Sequence, residues 1–241
     1  MKEHRKRPRE LRLAGRLDEA IAWIQHADAP EHIRRQLLWE NQALWWREIT
    51  GGDTTLRKRG PVHSGAIRQA WSNIEFLTGF NRSAPPLPTD PTELRKMLWD
   101  EHCATVLETK ALHWMIESKG RPVGMVSVVD ISLQHRRAEF LIGSFESCGA
   151  RTIARAAFLA IEFVARNLAL ARLTAYFYPS NQPAIRAAES LGFRVEGVLR
   201  SYIQPLDGGT RSDLVVAGLL LDTDFFNRTA GLRDRLLRRA K

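Results

Sequence analysis

Asn181-Gln182-Pro183-Ala184-Ile185-Arg186-Ala187-Ala188-Glu189-Ser190-Leu191-Gly192-Phe193-Arg194-Val195-Glu196-Gly197-Val198-Leu199-Arg200 joins a short helical segment to a strand through one sharp corner. Asn181 carries a side-chain oxygen suited to capping a helix over Pro183 to Leu191. Gly192 suits the left-handed geometry that ends such a helix, which turns Phe193 into the core at the start of a strand running to Ile203.

Working backwards, Leu173 to Tyr178 reads as a strand and Thr152 to Asn167 as a long helix, with Ile153, Ala156, Ala157, Ala160, Ile161 and Val164 on one face. Before it, His113–Ser118, Val123–Ser132 and Arg137–Phe145 are strand candidates. The short links Lys119-Gly120 and Leu133-Gln134-His135 make these strands antiparallel neighbours. Forwards, Asp207-Gly208-Gly209 marks a turn and Arg211 to Leu221 the returning strand. A strand–helix–strand crossover demands one parallel pair, so the expected fold is α/β with a mixed, mostly antiparallel sheet. Thr54 to Arg59 predicts a further strand, Ser64 to Phe76 and Thr92 to Leu107 helices, and Pro85, Pro86, Pro88 and Pro91 a rigid loop between them.

The first fifty residues read as a pair of helices. Leu17, Ile21 and Ile24 mark one, closed by Pro30; Ile33, Leu37, Leu44 and Trp45 mark the other, closed by Gly51-Gly52. Gly15 to Ile21 resembles the first helix of a tetratricopeptide repeat, but no second copy follows at that period. The expectation is a helical hairpin packed on the main domain or on a protein partner. The net charge of +9 sits at the two ends, with +5 in residues 1–16 and +5 in residues 228–241, and the body is near neutral. Such ends read as solvated tails, and no basic patch interleaved with aromatics points to nucleic acid. The chain has no apolar run of the roughly 20 residues that a membrane span needs, and no apolar segment behind its charged first residues. Two cysteines, Cys103 and Cys148, fit neither a disulfide framework nor a zinc site. A cytoplasmic protein is expected.

The pattern of Asn181, Ala184, Gly192-Phe193 and Glu196-Gly197, with Asp213 beyond it, resembles the GNAT superfamily of N-acetyltransferases, in particular the branch of ribosomal-protein N-terminal acetyltransferases. Ala138-Glu139-Phe140-Leu141-Ile142-Gly143 resembles that family's fourth strand, and Gly124 stands where its third strand often carries glycine. The likeness runs from about Thr54 to Arg228. It divides the chain into a basic N-terminal helical extension (1–52), a GNAT domain (53–228) and a basic C-terminal tail (229–241).

The resemblance implies that the family's fourth and fifth strands splay apart and take acetyl-CoA between them. Leu141, Ile142 and Gly143 would lie along the pantetheine arm. Gly149, Ala150, Arg151, Thr152 and Ile153 would hold the pyrophosphate at a helix N-terminus, with Asn181 also at the cofactor. The pyrophosphate loop departs from the family: Glu146 replaces its opening cation, and Arg151 stands where a small residue is usual. Arg151 would either block the phosphates or pair with one.

The implied reaction is direct attack of an amine on the thioester, with no metal. Glu139 is the best-placed base, and its rival reading is an ion pair with Arg136 or Arg137. The family's usual tyrosine acid is Ala188 here, which leaves Tyr178 as a candidate acid. The amine acceptor is a protein N-terminus or an amino-sugar nucleotide, and a homodimer is compatible with either. Two other readings stand beside this one: a GNAT-fold binding module that has lost turnover, and acylation of an aminoacyl-tRNA.

Overall fold

The computed structural model describes residues 2–80, 86–204 and 209–237. Three helices come first, α1 (Lys2–Leu13), α2 (Leu17–His26) and α3 (Glu31–Glu40), followed by strands β1 (Ile49–Gly51) and β2 (Thr54–Lys58). Helices α4 (Ser64–Ser72), α5 (Ile74–Phe80), α6 (Pro91–Cys103) and the single turn α7 (Val106–Thr109) precede β3 (Leu112–Ser118), β4 (Arg121–Ser132) and β5 (Arg137–Ser144). Then come α8 (Ala150–Asn167), β6 (Arg172–Phe177), α9 (Gln182–Ser190), β7 (Arg194–Ile203), β8 (Ser212–Leu220) and α10 (Thr223–Leu237).

The strands form one sheet in the order β1-β2-β3-β4-β5-β6-β8-β7, antiparallel throughout except between β5 and β6. That parallel pair is the expected crossover, made by α8. Alternation along each strand divides the core in two. Trp114, Val126, Val128, Phe140 and Leu173 face α8, with Ala156, Ala160 and Ile161 packed on them. Met115, Met125 and Leu141 face the other way, toward Ile67 of α4, Phe76 and Phe80 of α5, and Leu94 and Leu98 of α6.

Two predicted helices prove to be broken, each by a residue that serves better as a cap. Asn73 ends α4, and its side-chain oxygen accepts the Phe76 N–H at 3.0 Å to start α5. Thr105 stops α6 from reaching Leu107 and opens α7 with a reciprocal cap, its N–H donating to Glu108 at 2.7 Å. Helix α8 starts at Ala150, two residues before the expected Thr152. Of the expected proline loop, Pro85 lies outside the described residues, as do Asp207 and Gly208 of the turn and residues 238–241 of the basic tail.

The larger correction concerns the described parts of the basic ends, residues 2–16 and 228–237, which are largely helical and packed on the rest of the chain. Residues 2–13 form a third N-terminal helix whose Arg12 is buried. The Arg12 guanidinium donates to the Cys103 carbonyl at 2.7 Å, to Asn41 Oδ1 at 2.6 Å and to Glu108 at 2.8 Å. Trp99 of α6 donates to the Leu13 carbonyl at 3.0 Å, and Arg5 pairs with the buried Glu40. The N-terminal helices are therefore anchored on α6 and α7 through the cations that the charge count assigned to solvent. At the other end, α10 packs Phe225 and Leu236 into the main core.

Lys58, at the end of β2, shares the buried ground between these layers. Its ammonium donates to the Ala104 carbonyl at 3.1 Å and lies 4.3 Å from the centre of the Trp46 ring. Burial pushes its pKa down to about 7, and the charge of Arg12 adds to that push. The folded pKa lies below the unfolded one, so the unfolded chain binds more protons between the two values and stability rises with pH across that window. Above pH 9 the Cys103 thiol, raised by burial to about 11, opposes the trend. Urea midpoints from pH 7 to 8.5 are expected to show a gain of about 1.5 kcal/mol, lost in Lys58→Met; equal slopes for the two proteins would contradict the assignment.

Candidate active site

Strands β5 and β6 pair over only three residues, Arg137↔Arg172, Ala138↔Leu173 and Glu139↔Thr174. Beyond Glu139, β5 stays with β4 as far as Ser144, while β6 stays with β8 as far as Phe177. The two strands separate, and residues 140–144 of β5 have no paired strand on the β6 side. A cavity of about 400 Å³ fills the gap, walled by β5, β6, α8 and α9. Alanines dominate the helical wall, among them Ala150, Ala154 and Ala157 of α8 and Ala184, Ala187 and Ala188 of α9.

The structure brings together Glu139, Leu141, Ile142, Ala150, Ile153, Tyr178 and Asn181 on this cavity. Asn181 also caps α9 as expected, accepting the Ala184 N–H at 3.2 Å. Gly143 sits against α5 instead: a Cβ there would stand 3.0 Å from Phe76 and 3.3 Å from Phe80. Gly124 has a related role, since a Cβ on it would collide with the Gly143 carbonyl oxygen. Gly149 is the N-cap residue of α8, with Arg151 and Thr152 in the first turn. None of the three is among the residues that line the cavity.

Arg151 turns away from that turn and donates to the Arg235 carbonyl at the end of α10. Arg155, one helical turn on, is buried and donates to the Leu236 carbonyl while pairing with Asp53. The first turn of α8 carries no acidic residue, and its N-cap makes no side-chain hydrogen bond. An 18-residue helix with such a start suits a bound anion. An unpaired strand edge suits an extended chain bearing amides. The residues present thus fit a molecule with an amide arm and a phosphate end.

Glu139 is half-buried at the point where the strands part. Of its two suggested ion-pair partners, Arg137 pairs with Asp130 at 2.6 Å and Arg136 donates to the Ala169 carbonyl at 2.8 Å. Tyr176, which the sequence reading passed over in favour of Tyr178, also lines the cavity. It lies two residues beyond Thr174, the residue opposite Glu139, and its ring stacks on Tyr202 with centroids 6.4 Å apart. Burial and then the charge of Glu139 raise its phenol above the ordinary range. The signal was available: strand alternation puts Tyr176, Tyr178 and Glu139 on one side of the sheet, and Tyr176 is the nearer in register.

The Glu196-Gly197 and Asp213 signatures serve the fold. Glu196 pairs with Arg172 across Gly218, where a Cβ would meet both side chains. Asp213 accepts the Ser201 N–H at 2.7 Å, fixing an irregular stretch of β7 where Ser201 has φ +47°.

Cys148 lines the cavity, and burial raises its thiol pKa. A thiol held in the protonated form is a poor nucleophile. At pH 8 Cys103 of the folded protein, buried and with its thiol pushed up to about 11, is expected to react with a disulfide reagent at least tenfold more slowly than in urea, and Cys148 more slowly than in urea; equal rates would refute this reading.

A family model described as an acetyltransferase (GNAT) domain matches residues 54–194. A spermidine N(1)-acetyltransferase of Escherichia coli (strain K12) is 37% identical over 103 residues, which is 42% of this chain and 54% of that protein. The chain spans about half the length of the curated relatives it matches. Among solved structures, the ribosomal-protein-S5-alanine acetyltransferase from Vibrio fischeri aligns with TM-score 0.61 and 17% identity over 73% of this chain and 98% of that one. Spermidine N-acetyltransferase from Vibrio cholerae, in complex with CoA and spermine, gives TM-score 0.58 and 22% identity over 70% and 96%. Mycobacterium smegmatis RimJ, in complex with CoA-disulfide, gives TM-score 0.58 and 20% identity over 78% and 95%. At these identities the structural likeness speaks for the fold. With the splayed β5/β6 pair, the helix-to-strand corner at Gly192 and a family match over more than half its length, the chain belongs to the GNAT acetyltransferase domain family.

Proposed function

We propose that this chain transfers an acetyl group from acetyl-CoA directly to a primary amine. The observation that carries this reading is the three-residue β5/β6 contact, which opens a cavity with Glu139 at its closed end. When bound, acetyl-CoA supplies a thioester carbonyl open to attack. The β5 edge from Phe140 to Ser144 would hold the pantetheine arm, and the first turn of α8 the pyrophosphate. Arg151 is tied to the Arg235 carbonyl, so the positive end of α8 takes over the part suggested for this side chain.

Glu139 takes a proton from the incoming ammonium, directly or through one water, and the amine attacks. As the carbon–sulfur bond breaks, Tyr176 gives its phenolic proton to the sulfur. Its position nearer the strand divergence and its stacked ring favour it over Tyr178. The nitrogen releases its second proton to water as the tetrahedral intermediate collapses, and the proton on Glu139 then restores the phenol, so each turnover yields the amide, the CoA thiol and one free proton.

Three acceptor classes fit a primary amine: a protein N-terminus, an amino-sugar nucleotide and a polyamine. The polyamine is suggested by the 37%-identical relative, a spermidine N(1)-acetyltransferase. A second reading, a binding module without turnover, is favoured by Ala188 and by the diversion of Arg151. Calorimetry with acetyl-CoA separates the two, and absence of binding would end the transferase reading. Glu139→Gln is expected to lower kcat about a hundredfold or more, with acetyl-CoA affinity unchanged. Tyr176→Phe is expected to lower kcat at least tenfold, again without loss of acetyl-CoA binding. Full activity in either variant would remove that residue from the mechanism.

A further inference from the structure

Helix α10 lies beyond residue 194, where the family match ends, and it docks on the start of α8. Between the two helices runs an open groove of about 660 Å³. Ala150, Arg151 and Ala154 line it from α8, and Leu232, Arg235 and Leu236 from α10. Ala150 and Ala154 also line the cavity between β5 and β6. The two spaces meet at the protein surface. Ala150 is exposed, and a Cβ on the neighbouring Gly149 would meet nothing within 4 Å. A molecule that leaves the cavity over the first turn of α8 therefore arrives at the edge of the groove.

The charge of this groove is unlike that of its surroundings. Among the described residues its lining holds two arginines, four apolar side chains and no carboxylate. Elsewhere on α10, Arg228 pairs with Asp222 and Asp224, and Arg233 pairs with Glu162. On α8, the buried Arg155 pairs with Asp53. Arg151 and Arg235 are exposed, and neither forms an ion pair with a described carboxylate. The hydrogen bond from Arg151 to the Arg235 carbonyl draws the first guanidinium onto the backbone that carries the second. Two like charges at one groove repel unless an anion lies between them. A guanidinium has five donors, so the one bond to a carbonyl leaves Arg151 most of its fork for such an anion.

The acyl donor of the transferase reading carries a phosphate beyond its pyrophosphate, on the 3′ oxygen of its adenosine. We infer that the groove between α8 and α10 takes this adenosine end, with Arg235 and Arg151 pairing to the 3′-phosphate and Leu232 and Ala154 giving apolar surface to the base. The inference rests on the acetyl-transfer reading for the identity of the donor. It gives Arg151 a phosphate other than the pyrophosphate, which the start of α8 holds without it. A phosphate monoester carries roughly −1.5 to −2 charge near pH 7 and suits two guanidinium forks. The C-terminal helix thus becomes the part of the chain that selects a 3′-phosphorylated donor.

The test is calorimetric titration of the full chain with CoA and with dephospho-CoA, which share the pantetheine arm and the pyrophosphate and differ in the 3′-phosphate alone. The unaltered protein is expected to bind CoA about tenfold or more tightly than dephospho-CoA. In Arg235→Ala, and further in the double variant Arg151→Ala with Arg235→Ala, that ratio should fall toward one through loss of CoA affinity, with dephospho-CoA little changed. Arg235→Glu reverses the charge at an exposed position and should weaken CoA more than dephospho-CoA. Equal affinity for the two ligands in the unaltered protein, or a ratio that survives in both the double variant and Arg235→Glu, would overturn the inference. Failure to bind either ligand would sink the transferase reading together with its donor. Selective CoA binding without turnover of any amine would sink that reading and leave the groove's assignment standing, whereas turnover with no preference between acetyl-CoA and its dephospho form would do the reverse.

Discussion

The short parallel contact between β5 and β6 is the constraint on which the rest of the molecule depends. Each strand has a better partner on its other side, β4 for β5 and β8 for β6, and follows it to the end. Only at their start are the two held together. There the Arg136 carbonyl accepts the Ala171 N–H at 2.7 Å and the Arg172 N–H at 3.1 Å, and the Ala171 carbonyl accepts the Leu221 N–H at 2.9 Å. Past Glu139 the sheet's twist goes uncorrected by hydrogen bonds, and the strands part. Helix α8 bridges the gap from behind, and its small residues keep the opening from filling. The cavity thus follows from how the sheet distributes its pairing.

Much of this was legible in the sequence, because the signals were local. The stripe from Ile153 to Val164 could only be one helix face, and two strands flanking it could only be parallel. The Asn181 and Gly192 corner behaved as its chemistry demands: Asn181 caps α9, and Gly192 has φ +99°. Glu139 stood out as the best-placed carboxylate on the strand that, by the family resemblance, supplies the base. The Arg59–Glu101 and His113–Ser127 contacts were not legible, because their members come from α6, β3, β4 and the residue after β2. Arg151 misled for a similar reason. Its neighbours in sequence suggested a phosphate partner, whereas its partner in space is a carbonyl 84 residues away.

The two basic ends carry the same lesson in a different form. A charge count treats each cation as a point in solvent, which holds for Arg7 and Arg16 on exposed turns of the N-terminal helices. It fails for Arg12, whose fork meets two side-chain oxygens and a helix-end carbonyl inside the protein. A guanidinium is suited to that work because it offers five donors in one plane and stays charged when buried.

Arg155 has a consequence of its own for the order of assembly. This buried side chain joins Asp53, ahead of β2, to the Leu236 carbonyl in α10, so its partners come from nearly opposite ends of the chain. Closing such distant loops is slow and entropically unfavourable until the intervening elements have formed. The Arg155 contact with Leu236 can form only once α10 is in place, so this part of α8 gains its last partner from the far side of the fold. The start of α8 is thereby held from both sides, by Asp53 ahead of β2 and by the end of α10, so a change that loosens α10 would be felt at the α8 end of the cleft.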